Sequence, residues 1–403
     1  MQPKPDLEPL QPLAAHPLAA APAAAQGETA EGGAAGAEAE PDPAWGPAYG
    51  WGQPREPRWT LDEVRDLLAA YGRTPRRLTA AELPGGWENL NLRLDADGER
   101  LVLRRYDVTA PAEARWEIEL LRFLTRRGFP TPPLIERLDG QAFATFTGRP
   151  AALFAFVEGR HPRWDSLRAA ESTTQAIASL HVLTAGLRLP YPRTRLDNRK
   201  RLERFQEWTR RPPDAVPQPI PPALQQLTAE TARYAAAFAT RLAEAAARWG
   251  PLPTGVVHHD AHGNNVLVDA GDRLIALLDF DDGHETFLLT DVAVLLDAWA
   301  VAHRDSADSP FDPRRAARLL RAYAGQRPLT PAEWELLPDV MVLYNLADAT
   351  SYITGRIEQG TPAAVAIADC NQYARFRERT AAPSWRQRIR STLLAALDDL
   401  DSE

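Results

Sequence analysis

Residues 255–282 read Gly255-Val256-Val257-His258-His259-Asp260-Ala261-His262-Gly263-Asn264-Asn265-Val266-Leu267-Val268-Asp269-Ala270-Gly271-Asp272-Arg273-Leu274-Ile275-Ala276-Leu277-Leu278-Asp279-Phe280-Asp281-Asp282. Val266–Val268 and Leu274–Leu278 are short apolar runs on either side of a turn that contains Gly271, the pattern of a β-hairpin. Pairing them brings their outer ends together, so Asn265 is expected close to Leu278 and Asp279. Asp260 lies in the polar loop just before the first run. Two aspartates and an asparagine, distant in sequence, thereby converge. The stretch 255–279 reads as one compact hairpin in an otherwise helical region, and sites often lie where such a hairpin opens into a cleft.

These groups suit phosphoryl transfer from ATP. That chemistry needs oxygen ligands for Mg²⁺ on the phosphates and a carboxylate that orients the attacking hydroxyl. Asn265 and Asp279 are the expected metal ligands. Asp260 is expected to accept the hydroxyl proton or to position the hydroxyl. One competing reading is an ordinary polar hairpin in which Asn and Asp do turn work. Another is a metal hydrolase using His258, His259, His262, Asp260 and Asp279. It lacks the His-Glu-x-x-His spacing, and His258, His259, His262 and His284 already make up half of the eight histidines.

Upstream, Thr60-Leu61-Asp62-Glu63 is a capping-box pattern, with Leu61, Val64, Leu67 and Leu68 at helical spacing and Gly72 as a stop. Asn89–Leu94 and Leu101–Tyr106 flank the turn signal Asp95–Gly98 and read as a hairpin. Residues 112–127 read as a helix stopped by Gly128. Further strands are expected over Ala142–Phe146 and Ala151–Val157. This order predicts a small α+β lobe over 57–158. From Gly159 to Glu403 the pattern is mainly helical, with helices expected over 171–186, 222–248, 288–303, 313–324, 331–356 and 384–399. Residues 1–56 are Ala, Pro, Gly and Glu with few aliphatic side chains, a composition that cannot offset chain entropy and predicts a disordered tail. Trp45, Tyr49 and Trp51 mark its approach to the folded body.

The chain has 403 residues, a formal net charge of −8 and 44% hydrophobic content. That is a globular composition, and its acidity argues against a general nucleic-acid binder. The single cysteine, Cys370, excludes an intrachain disulfide framework and fits a reducing cytoplasm. No apolar run is long enough to span a bilayer. Prolines and acidic residues interrupt the Ala-rich start, which reads against a secretory signal. Lysine occurs only at Lys4 and Lys200, so basic charge is carried almost wholly by arginine.

His258-x-Asp260-x-x-x-x-Asn265 followed by Leu278-Asp279-Phe280 resembles the signature of aminoglycoside phosphotransferases and their relatives. The closer likeness is to the branch with homoserine-kinase-like enzymes and the bacterial stress-response Ser/Thr kinase. Asp279–Asp282 and Thr290-Asp291-Val292-Ala293 are similar to that branch's pattern. Gly85-Gly86-Trp87-Glu88-Asn89 is similar to its Gly-rich opening strand, Phe156–Arg160 to its interlobe hinge, and Ile177–His181 to a helix that precedes its catalytic loop. The resemblance spans about residues 60–360. It implies an α+β, bilobal protein-kinase-like fold that binds ATP and Mg²⁺ in the cleft. Adenine would lie against Phe156, Val157 and Glu158, with Gly85 and Gly86 near the phosphates. It also implies Asp260 as catalytic base and Asn265 and Asp279 as metal ligands.

The acceptor would be a small molecule such as an amino acid, amino alcohol, sugar or aminoglycoside, with a protein Ser/Thr as the alternative. Arg104 stands in register with the family's phosphate-holding lysine. Glu117 is its expected helix partner, or else part of a solvated helix face. Arg is not equivalent to Lys there, because its fork is broader and its charge delocalised. Two outcomes follow, an enzyme using Arg104 and a nucleotide-binding regulator without turnover. His259 stands where the family often has Gly. Asp291 either holds the loop or caps the helix beside it. His181 reads as a packed structural residue, and Trp299 and Tyr344 as core.

Overall fold

The computed structural model describes residues 59–83, 89–107, 109–190, 193, 196–210, 220–301 and 311–402. The expected tail over 1–56, its aromatic cluster, and Gly85 and Gly86 lie outside the described residues.

The capping box forms. Thr60 Oγ1 accepts from Glu63 N at 3.2 Å, and the Glu63 carboxylate accepts from Thr60 N at 2.7 Å. Both bonds satisfy amides that the start of helix α1 (Leu61–Ala69) would otherwise leave orphaned. Strand β1 (Leu78–Glu82) pairs antiparallel with β2 (Leu90–Ala96), and β2 with β3 (Glu99–Arg105). Ala96 faces Glu99, which leaves Asp97 and Gly98 alone in the turn, at φ 54° and 91°. Asp-Gly adopts these left-handed conformations cheaply, and they match the twist of paired strands. Helix α2 (Pro111–Arg126) follows. Then come β4 (Leu134–Ile135), β5 (Ala144–Phe146) and β6 (Arg149–Ala155), with β6 completing the sheet beside β3. The sheet order is β1-β2-β3-β6-β4, with β5 also on β6. Leu92, Leu94, Leu101, Leu103 and Leu153 bury one face of it against Val64 and Leu68 of α1.

The larger, helical lobe comprises α3 (Leu167–Leu183), α4 (Asn198–Trp208), α5 (Pro222–Trp249), α6 (Leu289–Trp299), α7 (Pro313–Ala324), α8 (Pro331–Glu358), α9 (Ala363–Ala368), α10 (Asn371–Thr380) and α11 (Trp385–Asp401). Its core also takes in Trp116, Ile118, Leu121 and Leu124 of α2, so that helix joins the sheet to the helical body. Strands β1 and β4 and helices α4, α9 and α10 have no counterpart among the expected elements. In α4 only a narrow stripe, Leu202, Phe205 and Trp208 with the capped Asn198, is buried in a strongly charged sequence, too thin for periodicity to flag.

The expected single hairpin over 255–279 is corrected. Strand β7 (Thr254–Val257) pairs with β10 (His284–Phe287), beyond the quoted segment, while β8 (Val266–Val268) pairs with β9 (Leu274–Leu277). Two short ribbons result, and the polar loop between them is pinned at both ends. The β8–β9 ribbon is anchored outward by Leu277 N donating to Pro130 O at 2.8 Å and by a β-bridge between Arg160 and Val268. Gly159 packs against it so closely that a Cβ there would lie 2.6 Å from Ile275 Cδ1. Among the described residues no helix is long and apolar enough to cross a membrane.

Candidate active site

The chain leaves β7 at His258, passes Asp260 and enters a 3₁₀ turn, Gly263–Asn265, before β8. His262 Nδ1 accepts from Asn264 N at 3.2 Å, so its proton sits on Nε2 and points to Asp260 Oδ2 at 3.1 Å. Asn265 Nδ2 donates to the Asp260 carbonyl at 2.9 Å and to its carboxylate at 2.8 Å. Leu278 N donates to Asn265 O at 2.8 Å, which sets Asp279 across from Asn265 as the strand register predicts. Asp260, Asn265 and Asp279 therefore meet. Among the described residues, Asn265 Oδ1 and Asp279 Oδ2 accept no hydrogen bond from the protein. Two oxygens so placed fit a hard divalent cation, which takes oxygen ligands and often only one or two from protein.

Arg104 reaches this point from β3. Its Nη2 lies 2.9 Å from Asp279 Oδ1 and 2.5 Å from Asp281 Oδ2. The expected pairing with Glu117 does not form. Glu117 instead accepts from Tyr106 Oη at 3.1 Å and lies 3.6 Å from Arg193 Nη2. One nitrogen of Arg104, Nη2, meets both carboxylates, and Arg193 stands beside the glutamate instead. Arg193 also donates to the Asp281 carbonyl at 2.8 Å and stacks over Trp116. No sequence signal marks Arg193, which follows a Pro-rich stretch without periodicity. Asp281 faces inward, bonded to Arg104 and to Asn89 Nδ2.

Burial works against ionisation of both aspartates, with different results. For Asp279 the charge and hydrogen bond of Arg104 outweigh burial and lower the pKa. For Asp281 burial dominates, Glu117 and Asp279 add repulsion, and the pKa rises well above the usual carboxylate range despite Arg104.

Behind the loop stands Asp291 of α6. Its carboxylate accepts from His258 N at 2.8 Å, His259 N at 2.7 Å and His181 Nε2 at 3.0 Å, which assigns it to holding the loop. His181 is completed by Tyr323 Oη at 2.6 Å from Nδ1. His258 Nδ1 accepts from Asp260 N at 3.2 Å, so Nε2–H donates to Leu278 O at 2.8 Å and ties the two halves of the site together. The histidines are thus committed to the scaffold. Among the described residues no group of three or more His, Cys, Asp or Glu is placed to hold a metal ion, contrary to the hydrolase alternative. Just beyond β6, Phe156 N donates to Arg100 O at 3.1 Å, and Arg100 pairs with Glu158 and covers the Phe156 ring.

A family model described as a phosphotransferase enzyme family, APH, matches residues 79–337. Homoserine kinase of Pseudomonas aeruginosa (strain UCBPP-PA14) is 30% identical over 256 residues, covering 64% of this chain and 74% of that protein. Homoserine kinase of Agrobacterium fabrum (strain C58) is 28% identical over 284 residues, covering 69% and 80%. Among solved structures, the microcompartment-associated aminopropanol kinase superposes with a TM-score of 0.58 at 20% identity, over 82% of this chain and 100% of that one, which agrees with the kinase-like fold.

Proposed function

The chain belongs to the phosphotransferase enzyme family, a kinase that uses ATP and a small-molecule hydroxyl acceptor, and on that premise we propose that the acceptor is a hydroxy amino acid or amino alcohol, with L-homoserine the first candidate. The similarity to homoserine kinases motivates the choice. We propose residues 57–158 as the nucleotide lobe, 159–403 as the lobe completing the acceptor side, and the cytoplasm as the compartment.

One observation carries the assignment of roles: Asn265 bonds Asp260 with its amide nitrogen while its oxygen, like that of Asp279, is left to accept. Asp260 takes the proton of the acceptor hydroxyl. The acceptor oxygen then bonds the γ-phosphorus, the bond from phosphorus to the β,γ-bridging oxygen breaks, and ADP leaves with that electron pair. Asn265 and Asp279 hold Mg²⁺, which when bound neutralises phosphate charge. Arg104 faces the α- and β-phosphates, and a guanidinium fork serves two oxygen partners at once. Phe156, Val157 and Glu158 line the adenine side. Glu117 acts at one remove, by holding Arg193 and Tyr106.

The double ion pair of Arg104 favours a second reading, a regulator that binds ATP without turnover. An ADP-release assay with MgATP and L-homoserine, amino alcohols, sugars, aminoglycosides and protein substrates separates the readings. Acceptor-dependent release is expected with a small amino alcohol or hydroxy amino acid, falling about a thousandfold in Asp260→Ala. ATP binding without release across the panel supports the regulator, and release unchanged by Asp260→Ala removes Asp260 from its role.

A further inference from the structure

His259 is the residue of the loop that this chemistry does not use. Its backbone stands at φ 70°, a conformation glycine adopts freely and a residue with a Cβ resists. Its ring is buried. Nε2 lies 3.2 Å from Asn198 Oδ1 at the first turn of α4. The ring meets His284 of β10 edge-on at 5.0 Å between centroids, and Tyr344 of α8 at 5.8 Å.

The nest carries costs, a left-handed backbone and two buried polar atoms without partners. Burial depresses both histidine pKa values, that of His284 to about 4, so both rings are neutral at neutral pH. His259 then donates its Nε2 proton to Asn198. His284 Nδ1 faces the Asp282 carbonyl at 2.8 Å and must carry the proton there, leaving Nε2 as a buried acceptor with no partner. Asn198 Nδ2 is a buried donor with no partner. An apolar packing with glycine in the loop would avoid the backbone strain and both orphaned groups. Costs of this kind persist where geometry has a use.

Asn198 is itself firmly placed. The preceding Asp197 caps α4 and accepts from Thr286 Oγ1 of β10 at 2.6 Å, and Arg201 reaches Asp348 of α8 at 2.9 Å. We infer that His259 is a positioning residue, which ties the loop carrying Asp260 to helix α4 through Asn198, so that α4 sets the placement of the proposed base. The inference rests on the role proposed for Asp260.

The test measures ADP release from MgATP with L-homoserine, and with water as acceptor, for His259→Gly, Asn198→Ala, the double variant and Asp260→Ala, with folding checked by circular dichroism and thermal melting. His259→Gly and Asn198→Ala are each expected to lower kcat roughly tenfold, the scale of a small misplacement at a reacting centre, with KM for ATP unchanged. The double variant should be no slower than the slower single, because both break one link. His259→Asn, which tolerates the left-handed backbone and offers an amide, should recover part of the rate. A lower melting temperature with kcat per folded enzyme unchanged overturns the inference, as do losses that multiply in the double variant. If His259→Gly does not fold, Asn198→Ala decides alone. If Asp260→Ala keeps its rate, the reading of Asp260 has failed. If Asp260→Ala is inactive while the other variants are unaffected, only the positioning role has failed.

Discussion

The β2–β3–β6 strands and the His258–Asp281 loop reach order by opposite routes. In the sheet, backbone pairing comes first and the side chains follow: Leu92, Leu94, Leu101 and Leu103 alternate inward because the register puts them there. In the loop, side chains from other elements hold a backbone with little regular structure. Asp291 takes two successive amides, His181 braces Asp291, and Trp299 Nε1 donates to Ala261 O at 2.8 Å. Two aspartates make the contrast concrete. Asp97 and Asp279 both have left-handed backbones, at φ 54° and 61°. The first sits in a tight turn that asks for such a residue. The second is held by the packed site around it, where Arg104 grips its carboxylate. A sheet of this kind weakens through lost volume, whereas the loop fails through the loss of one polar group.

The sharpest attempt to break that contrast is Asp291→Ala. It strands two buried amides and the His181 proton, so a loss of about 4 kcal/mol is expected in urea unfolding, with kcat down at least about a hundredfold. A loss below about 1 kcal/mol would mean that the loop is held by something else. Next in size, Leu92→Ala in the sheet should cost about 3 kcal/mol while kcat per folded molecule stays at the wild-type value. A fall in kcat would show that sheet packing also sets the site.

The smallest effect is read from pH. Burial lowers the His284 pKa from 6.5 to about 4. Between these values the unfolded chain binds a proton that the folded chain refuses. The stability due to His284 is therefore complete above about pH 6.5, declines as pH falls through the window, and is gone below about 4, a loss of at most about 3 kcal/mol. His259 shifts in the same direction. Urea midpoints from pH 7 to pH 4 should fall less steeply in His284→Gln than in wild type.

What could be read in advance followed the range of the interactions. The Thr60 capping box and the Asp97-Gly98 turn depend on residues within a few positions, and both are legible. The meeting of Asn265 with Asp279 was legible too, since one short ribbon sets it. Helix α4 escaped because its buried stripe is narrow. The partner of β7 escaped because β10 lies beyond the segment that seemed self-contained. The pairing expected between Arg104 and Glu117 failed on a competitor, Arg193, whose approach no local pattern announces.

The residue types of the site, and the spacing that makes Asp260, Asn265 and Asp279 a candidate for phosphoryl transfer, belong to the sequence alone, because a turn and a two-stranded register are local properties. Which charges pair, which histidines serve as scaffold and what fixes the placement of Asp260 were decided by tertiary structure. Arg104, Asn198 and Asp291 come from three separate elements and Arg193 from outside any helix or strand, and a buried charge or amide takes whichever partner the packing brings within about 3 Å.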